Sequence, residues 1–253
     1  MGILDITNCT KRFGGLVAVH DLNMSLAPGS LYGLIGPNGA GKTTVFNLIT
    51  GVYTPDEGSI ELGGKAIHKK KPSSIANLGM SRTFQNIRLF KSMTVLENVK
   101  LARHMRRRQS LFDAVVRTPS LTAEEREIEA DALSLLKIFN LEARAAEQAS
   151  SLPYGAQRRL EIVRALATHP KVLLLDEPAA GMNPQESVEL MNLIRSVRDK
   201  FQLTVLLVEH NMKVVMGICE KIQVIDYGET IALGTPREIQ ANPKVIEAYL
   251  GGA

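Results

Sequence analysis

The sequence lacks long hydrophobic runs, and this absence excludes a helix that crosses a membrane. No apolar stretch approaches the roughly 18–20 residues that a spanning helix needs. Residues 1–6 have an early aspartate and no basic segment, which argues against a secretory signal. Ile6 stands where a myristoylation signal requires serine or threonine. We therefore expect a cytosolic protein that reaches a membrane only through its partners.

Cysteine is scarce as well. Cys9 is predicted in a strand and Cys219 in a helix, and neither belongs to a CxxC pair or a cluster with histidine. We expect both to be small buried apolar residues, in agreement with a cytosolic protein.

Neither sign of charge dominates. The 30 lysines and arginines and 26 aspartates and glutamates leave a net charge of +4, which is too mild to indicate nucleic-acid binding. The one concentration is the basic run 103–108. It is consistent with a solvated helix end or loop, or with contact to anionic lipid headgroups or an acidic partner surface.

What the sequence does contain is a glycine-rich turn between a predicted strand, 31–35, and a predicted helix that begins at Lys42. Glycines let backbone N–H groups converge on an anion, and the helix N-terminus adds positive potential. Lys42 would reach the β- and γ-phosphates of a nucleoside triphosphate, and the Thr43 hydroxyl would bind Mg²⁺. The candidate phosphate-binding residues are Gly36, Pro37, Asn38, Gly39, Ala40, Gly41, Lys42, Thr43 and Thr44.

Two adjacent carboxylates, Asp176 and Glu177, end a second apolar run that predicts a buried parallel strand. Asp176 can hold hydrated Mg²⁺, and Glu177 can orient or deprotonate the water that attacks the γ-phosphate. The alternative is a buried strand that merely ends in a charged turn. A third apolar strand, 204–208, is followed by His210.

In order and spacing these motifs resemble the ATP-binding subunits of ABC transporters, over nearly the whole chain. The resemblance implies an adenine-stacking aromatic at Phe13, a Walker A loop at 36–44, and Walker B with the catalytic base at Asp176 and Glu177. It implies that Gln85 is the Q-loop glutamine and also contacts Mg²⁺, that 180–183 is the D-loop and that His210 is the switch histidine. It also implies a signature at 152–156, in which Tyr154, Gly155 and Ala156 contact nucleotide. Taken singly, Phe13 also fits a core aromatic, Gln85 a polar strand end, and His210 a helix cap or surface histidine.

The chain departs from this family's usual pattern at two positions. Pro153 replaces the signature serine, whose hydroxyl normally contacts the partner's γ-phosphate, and Asn183 replaces the D-loop aspartate. Asn183 followed by Pro184 still predicts a helix start with an N-cap and proline at the first position.

The expected fold class is α/β, with the RecA-like parallel core of P-loop NTPases, an antiparallel β subdomain and an inserted helical subdomain. We expect one ATP-binding domain, 1–253, divided into an antiparallel part at about 1–30 and 52–68, a core at 31–85 and 166–226, a helical subdomain at 86–165 and a C-terminal extension at 227–253. The predicted core strands are 31–35, 80–84, 172–176, 204–208 and 221–226. The predicted helices include 42–49, 94–101, 184–200, 236–240 and 243–250. A further helix is predicted to begin at a capping box at 122–125. Residues 105–121 are expected to form a mobile loop.

The resemblance also implies partners and a location. Two subunits would close head to tail around ATP and move permease subunits at the cytoplasmic face of a bacterial inner membrane, with a periplasmic binding protein as an indirect partner. Segments 83–90, 154–162 and 177–184 look like the branched-chain amino acid uptake subfamily. ATPases for urea or short amides and the lipopolysaccharide exporter's ATPase are the nearby alternatives.

Two hypotheses from other classes fit less well. A soluble ABC-type ATPase acting on nucleic acid would carry a long coiled-coil insertion or a second cassette, and the sequence has neither. A P-loop small-molecule kinase would not need the segment 152–156.

Overall fold

The computed structural model describes residues 2–104 and 119–250. The chain forms two compact units, one made of Met1–Arg82 and Lys171–Ala253 and the other of Thr83–Pro170. Residues 105–108 of the basic run and 105–118 of the expected mobile loop lie outside the described residues. Within the described ranges, no helix is both long and apolar enough to span a bilayer.

Two sheets build the first unit. The strands in chain order are β1 Leu4–Phe13, β2 Leu16–Leu26, β3 Leu31–Ile35, β4 Glu57–Leu62, β5 Lys65–Ala66, β6 Met80–Arg82, β7 Val172–Asp176, β8 Thr204–Val208, β9 Lys221–Asp226 and β10 Glu229–Gly234. A four-stranded antiparallel sheet has the order β2-β1-β4-β5, and a six-stranded sheet has the order β10-β9-β3-β8-β7-β6. β6, β7, β8, β3 and β9 run parallel, and β10 is antiparallel to β9.

The central strands of the larger sheet are apolar because both of their faces are covered. Every residue of β3, β7 and β8 is buried, as the continuous apolar runs predict for a parallel sheet. Asp176 at the end of β7 pairs in register with Val208 at the end of β8. The loops that follow β3, β7 and β8 therefore start at one edge of the sheet, where ligands bind in open α/β folds.

The helices in chain order are α1 Lys42–Ile49, α2 Pro72–Asn77, α3 Val95–His104, α4 Pro119–Ile138, α5 Tyr154–Ala167, α6 Pro184–Phe201, α7 Met212–Ile218, α8 Pro236–Gln240 and α9 Pro243–Leu250. The second unit consists of α3, α4 and α5 with short 3₁₀ turns at Glu142–Arg144 and Ala149–Ser151. The predicted start of α6 is confirmed, since Asn183 and Glu186 form a capping box with Pro184 in the first turn.

Several boundaries differ from the predictions. β6 ends at Arg82 instead of residue 84, because the Phe84 N–H and C=O bind the Glu161 and Arg158 side chains instead of a neighbouring strand. The exposed Gln85 is consequently not a strand end. α4 starts at Pro119, before the expected capping box, and α2 was not predicted. Cys219, expected inside a helix, is instead the C-cap of α7, which ends at Ile218.

Both cysteines are buried free thiols, as predicted. Burial raises the pKa of Cys9 to about 11 and that of Cys219 to about 12. The reactive thiolate is therefore scarce at pH 8, whereas a free cysteine titrates near pH 8.5. We expect a disulfide reagent at pH 8 to label the native thiols at least about 100-fold more slowly than those of the protein in guanidinium. Rapid labelling of the native protein would contradict the buried placement.

Candidate active site

The glycine-rich turn approaches neighbouring backbone so closely that only glycine fits at two positions. A Cβ added at Gly36 would lie 2.0 Å from the Ile225 carbonyl oxygen, and one at Gly41 would lie 2.5 Å from the Ala18 oxygen. Gly41 also has a φ of +102° and immediately precedes α1. The loop 36–41 is thus packed closely against the backbone at residues 18 and 225 and leads directly into the N-terminus of α1, the kind of element that binds phosphate.

Lys42 lies at the mouth of this loop. Its ammonium donates hydrogen bonds to the carbonyl oxygens of Gly36 and Pro37, both at 2.7 Å, and the residue is only 6% exposed. Burial lowers the pKa of Lys42, and the charges of Glu177 and Asp176 oppose that effect. The loop thus holds a desolvated cation that nearby carboxylates stabilise, in a position to exchange carbonyl oxygens for phosphate oxygens.

Asp176 is paired with an arginine that the sequence reading missed. The Asp176 Oδ2 accepts a hydrogen bond from Arg82 Nη2 at 2.9 Å, and both side chains are at most 10% exposed. Arg82 also donates to Asn47 Oδ1 at 2.8 Å and lies 5.2 Å from the Phe46 ring centroid. Arg82 therefore ties the end of β7 to α1, the helix that presents Thr43. A basic residue near the end of an edge strand was the only sequence signal.

Glu177 and His210, two of the predicted site residues, lie in direct contact. The His210 Nε2 lies 2.6 Å from Glu177 Oε1, with the glutamate side chain 14% exposed and the imidazole 43% exposed. Glu177 has a φ of +47°, which costs energy for a residue with a Cβ and is typical of functional sites. Its N–H donates to the Val208 oxygen at 2.9 Å, so the loop after β7 is held against the end of β8.

Phe13 lies at the tip of the β1–β2 hairpin and is 42% exposed. The alternative that it is a core aromatic is therefore wrong. Its ring packs edge-on against Tyr53, with centroids 5.1 Å apart. The Lys11 ammonium also lies over the ring, 5.5 Å from its centroid, and the exposed part of the ring can contact a planar ligand.

In the second unit, Arg158 organises the predicted Q-loop and signature residues. This arginine is 1% exposed and donates to the backbone oxygens of Phe84 and Gln85 and to Glu161. Burial raises the pKa of Glu161, and Arg158 opposes that rise. Tyr154, Gly155 and Ala156 form the first turn of α5, and the N-cap is Pro153, which has no side-chain donor or acceptor.

Comparisons with known proteins agree with this arrangement. The sequence profile of the ABC transporter family matches residues 19–180, and a profile described as a branched-chain amino acid ATP-binding cassette transporter matches residues 229–253. The chain is 47% identical over 251 residues to the high-affinity branched-chain amino acid transport ATP-binding protein LivG of Escherichia coli K12, covering 99% of this chain and 98% of LivG.

Solved structures give the same result. The crystal structure of an ATP-binding cassette of an ABC transporter in its ADP conformation matches with a TM-score of 0.86 and 32% identity, over 99% of both chains. A dimeric cassette in a post-hydrolysis state, bound to ADP and phosphate, matches with a TM-score of 0.78 and 25% identity, over 92% of this chain and 99% of that one. The P-loop, the paired carboxylates and these matches together place the chain in the ABC transporter family, as one of the ATP-binding subunits whose ATP hydrolysis drives transport.

Proposed function

We propose that this chain powers the import of branched-chain or other hydrophobic amino acids through a membrane permease. The observation that supports this substrate class best is the 47% identity to LivG over 99% of the chain, together with the C-terminal match at 229–253. In this proposal the ATP site of this chain provides the energy for transport, and the permease and a periplasmic binding protein select the substrate.

For ATP binding, we assign the phosphates to the loop 36–44 and to the Lys42 ammonium. Thr43 and Asp176 would hold Mg²⁺, because hydroxyl and carboxylate oxygens are the ligands that this ion prefers. Arg82 supports this assignment, because its hydrogen bond to Asp176 Oδ2 at 2.9 Å holds the carboxylate at the end of β7. The bound ion would neutralise charge on the β- and γ-phosphates.

For hydrolysis, we assign Glu177 as the base that accepts a proton from the attacking water. His210, whose Nε2 is 2.6 Å from the Glu177 carboxylate, would orient that carboxylate and contact the γ-phosphate. Geometry supports this pair, because the two groups are within hydrogen-bond reach and on neighbouring loops.

A second subunit would complete the site. Phe13 would stack on adenine within one subunit, while Tyr154, Gly155 and Ala156 of the other subunit would meet the γ-phosphate through backbone N–H groups at the N-terminus of α5. The dimeric cassette that matches this chain supports such pairing. We place the dimer on permease subunits at the cytoplasmic face of a bacterial inner membrane, without a role for nucleic acid.

An uptake assay tests the substrate. A strain that lacks this chain should lose high-affinity uptake of labelled leucine, and the parental gene should restore it while a Glu177→Gln copy does not. Loss of urea or short-amide uptake instead, or a defect in lipopolysaccharide export, would reassign the chain to one of those transporters.

Gly155→Asp tests the trans contact. The change places a side chain and a negative charge at the first turn of α5, so ATP-driven dimerisation in a Glu177→Gln background should disappear while ATP affinity of the monomer changes less than about twofold. Sedimentation with and without Mg²⁺-ATP measures the dimer, and Gly155→Ala separates the effect of charge from that of size. A Gly155→Asp protein that still dimerises on ATP would contradict the assignment.

A further inference from the structure

The loops that carry Glu177 and His210 share a buried carboxylate that the catalytic assignment does not use. Glu209 lies between the last residue of β8 and His210, and it is only 4% exposed. Its Oε1 accepts a hydrogen bond from the Ala179 N–H at 2.8 Å, across 30 positions of sequence. The loop after β8 thereby holds the loop after β7.

Glu209 also binds its own loop. The backbone N–H groups of Asn211 and His210 face its carboxylate and favour its charged form. Asn211 is the N-cap of α7, where its side chain accepts from the N–H groups of Lys213 and Val214. One carboxylate therefore connects the start of α7, the backbone of His210 and the turn that follows Glu177.

The burial of the Glu209 carboxylate has to be compensated by other groups. Burial raises the pKa of Glu209, and the neighbouring charge of Glu177 adds to that effect, while the N–H groups of Ala179, Asn211 and His210 oppose it. Among the described residues no cation forms an ion pair with Glu209, so backbone N–H groups compensate the buried carboxylate. A buried carboxylate that binds only backbone N–H groups from two loops fixes those loops relative to each other.

A second backbone N–H also joins the two loops. The Glu177 N–H donates to the Val208 oxygen at 2.9 Å, so this bond and the one from Ala179 to Glu209 both run from the segment after β7 to an acceptor at the end of β8 or just beyond it. The same two segments carry the 2.6 Å contact between Glu177 Oε1 and His210 Nε2. We propose that Glu209 is a positioning residue, whose carboxylate holds the turn after β7 to the backbone of His210 and so keeps Glu177 and His210 in contact for ATP hydrolysis. This inference rests on the roles proposed above for Glu177 and His210.

The main variant is Glu209→Gln, which keeps the size of the side chain. A carboxylate accepts hydrogen bonds at both oxygens, whereas an amide accepts at one and presents an NH₂ donor at the other. One of the two loops should then lose its attachment. We expect kcat for ATP to fall about tenfold, since small misplacements of reacting groups are costly, and KM for ATP to stay within about twofold. Glu247→Gln makes the same charge change at an exposed position of α9 and serves as the matched control.

A double-mutant cycle separates positioning from a general effect on the fold. In a His210→Ala background there is no contact with Glu177 left to maintain, so Glu209→Gln should lower kcat by less than about twofold. A variant that only reduces the folded fraction would lower kcat by the same factor in both backgrounds. That equal factor, or an unchanged kcat in the parental background, would overturn the inference.

Two further variants complete the test. If Glu209→Gln does not fold, Glu209→Asp replaces it, since the charge remains but the shorter side chain cannot span both loops; the same outcomes decide. Glu177→Gln is assayed in parallel. If it is inactive while the Glu209 variants keep the parental kcat, the positioning inference fails and the proposed function stands. If Glu177→Gln hydrolyses ATP at the parental rate, the proposed base is wrong, whatever the Glu209 variants do.

Discussion

Replacing Glu177 with glutamine will stop ATP turnover while leaving ATP binding intact. The amide retains the size of the side chain and an oxygen that can face His210 Nε2, now 2.6 Å from the carboxylate, so the local geometry is preserved. It cannot accept the proton of the attacking water, and loss of general-base catalysis typically costs about 10²–10⁴-fold in rate. We expect kcat to fall by at least about 100-fold with ATP affinity within about twofold. Because hydrolysis no longer ends the closed state, an ATP-dependent dimer should accumulate.

The same experiment separates Glu177 from its neighbours. Steady-state assays measure kcat, calorimetry measures ATP affinity, and sedimentation measures the dimer. His210→Ala should lower kcat much more than affinity, because the imidazole lies beside the reacting carboxylate and not in the phosphate loop. If Glu177→Gln hydrolyses ATP at the parental rate, the base must be sought elsewhere, and a loss of affinity alone would make Glu177 a binding residue.

The parts of the fold that were predicted well are those that the local sequence determines. β3, β7 and β8 are continuous apolar runs, and their bounds agree with the prediction. α1 begins at Lys42 because the glycine turn ends there, and α8 and α9 begin at prolines after favourable caps or turns. In each case, a short segment contains the residues that determine both the type of the element and where it begins.

The errors occur where tertiary contacts decide. The segment up to residue 84 has the composition of a strand, yet the backbone of Phe84 binds Arg158 and Glu161, which are distant in sequence. No local pattern could reveal these two partners. The N-cap of α7, Asn211, is by contrast a local signal that was overlooked.

The same distinction applies to the site. Lys42, Asp176, Glu177 and His210 were predicted as site residues because their spacing matches a family pattern. Arg82 and Glu209 were missed because their importance lies in which atoms they contact, namely the Asp176 carboxylate and the Ala179 N–H. Supporting residues of this kind are visible only when separate elements are assembled.

Replacing Lys42 with alanine will nearly abolish ATP binding. Lys42 is 6% exposed and its ammonium donates to two loop carbonyls, so phosphate binding would exchange two neutral acceptors for charged ones. The opposite charge of the phosphates adds Coulombic attraction to these hydrogen bonds. Burial lowers the pKa of Lys42, and the charges of Glu177 and Asp176 oppose this by stabilising the protonated lysine. We expect ATP affinity to fall by at least about 100-fold, equivalent to about 2.8 kcal/mol.

Two matched variants make this result specific to the ammonium at position 42. Lys244→Ala removes the same group from an exposed position of α9 and should leave calorimetric ATP affinity unchanged. Lys42→Arg keeps the charge but replaces a compact ammonium with a planar fork, which does not fit between the Gly36 and Pro37 carbonyls at 2.7 Å without moving the loop. It should recover only part of the affinity. If Lys42→Ala binds Mg²⁺-ATP as tightly as the parental protein, the loop 36–44 is not the phosphate site, and the assignments that depend on it fail with it.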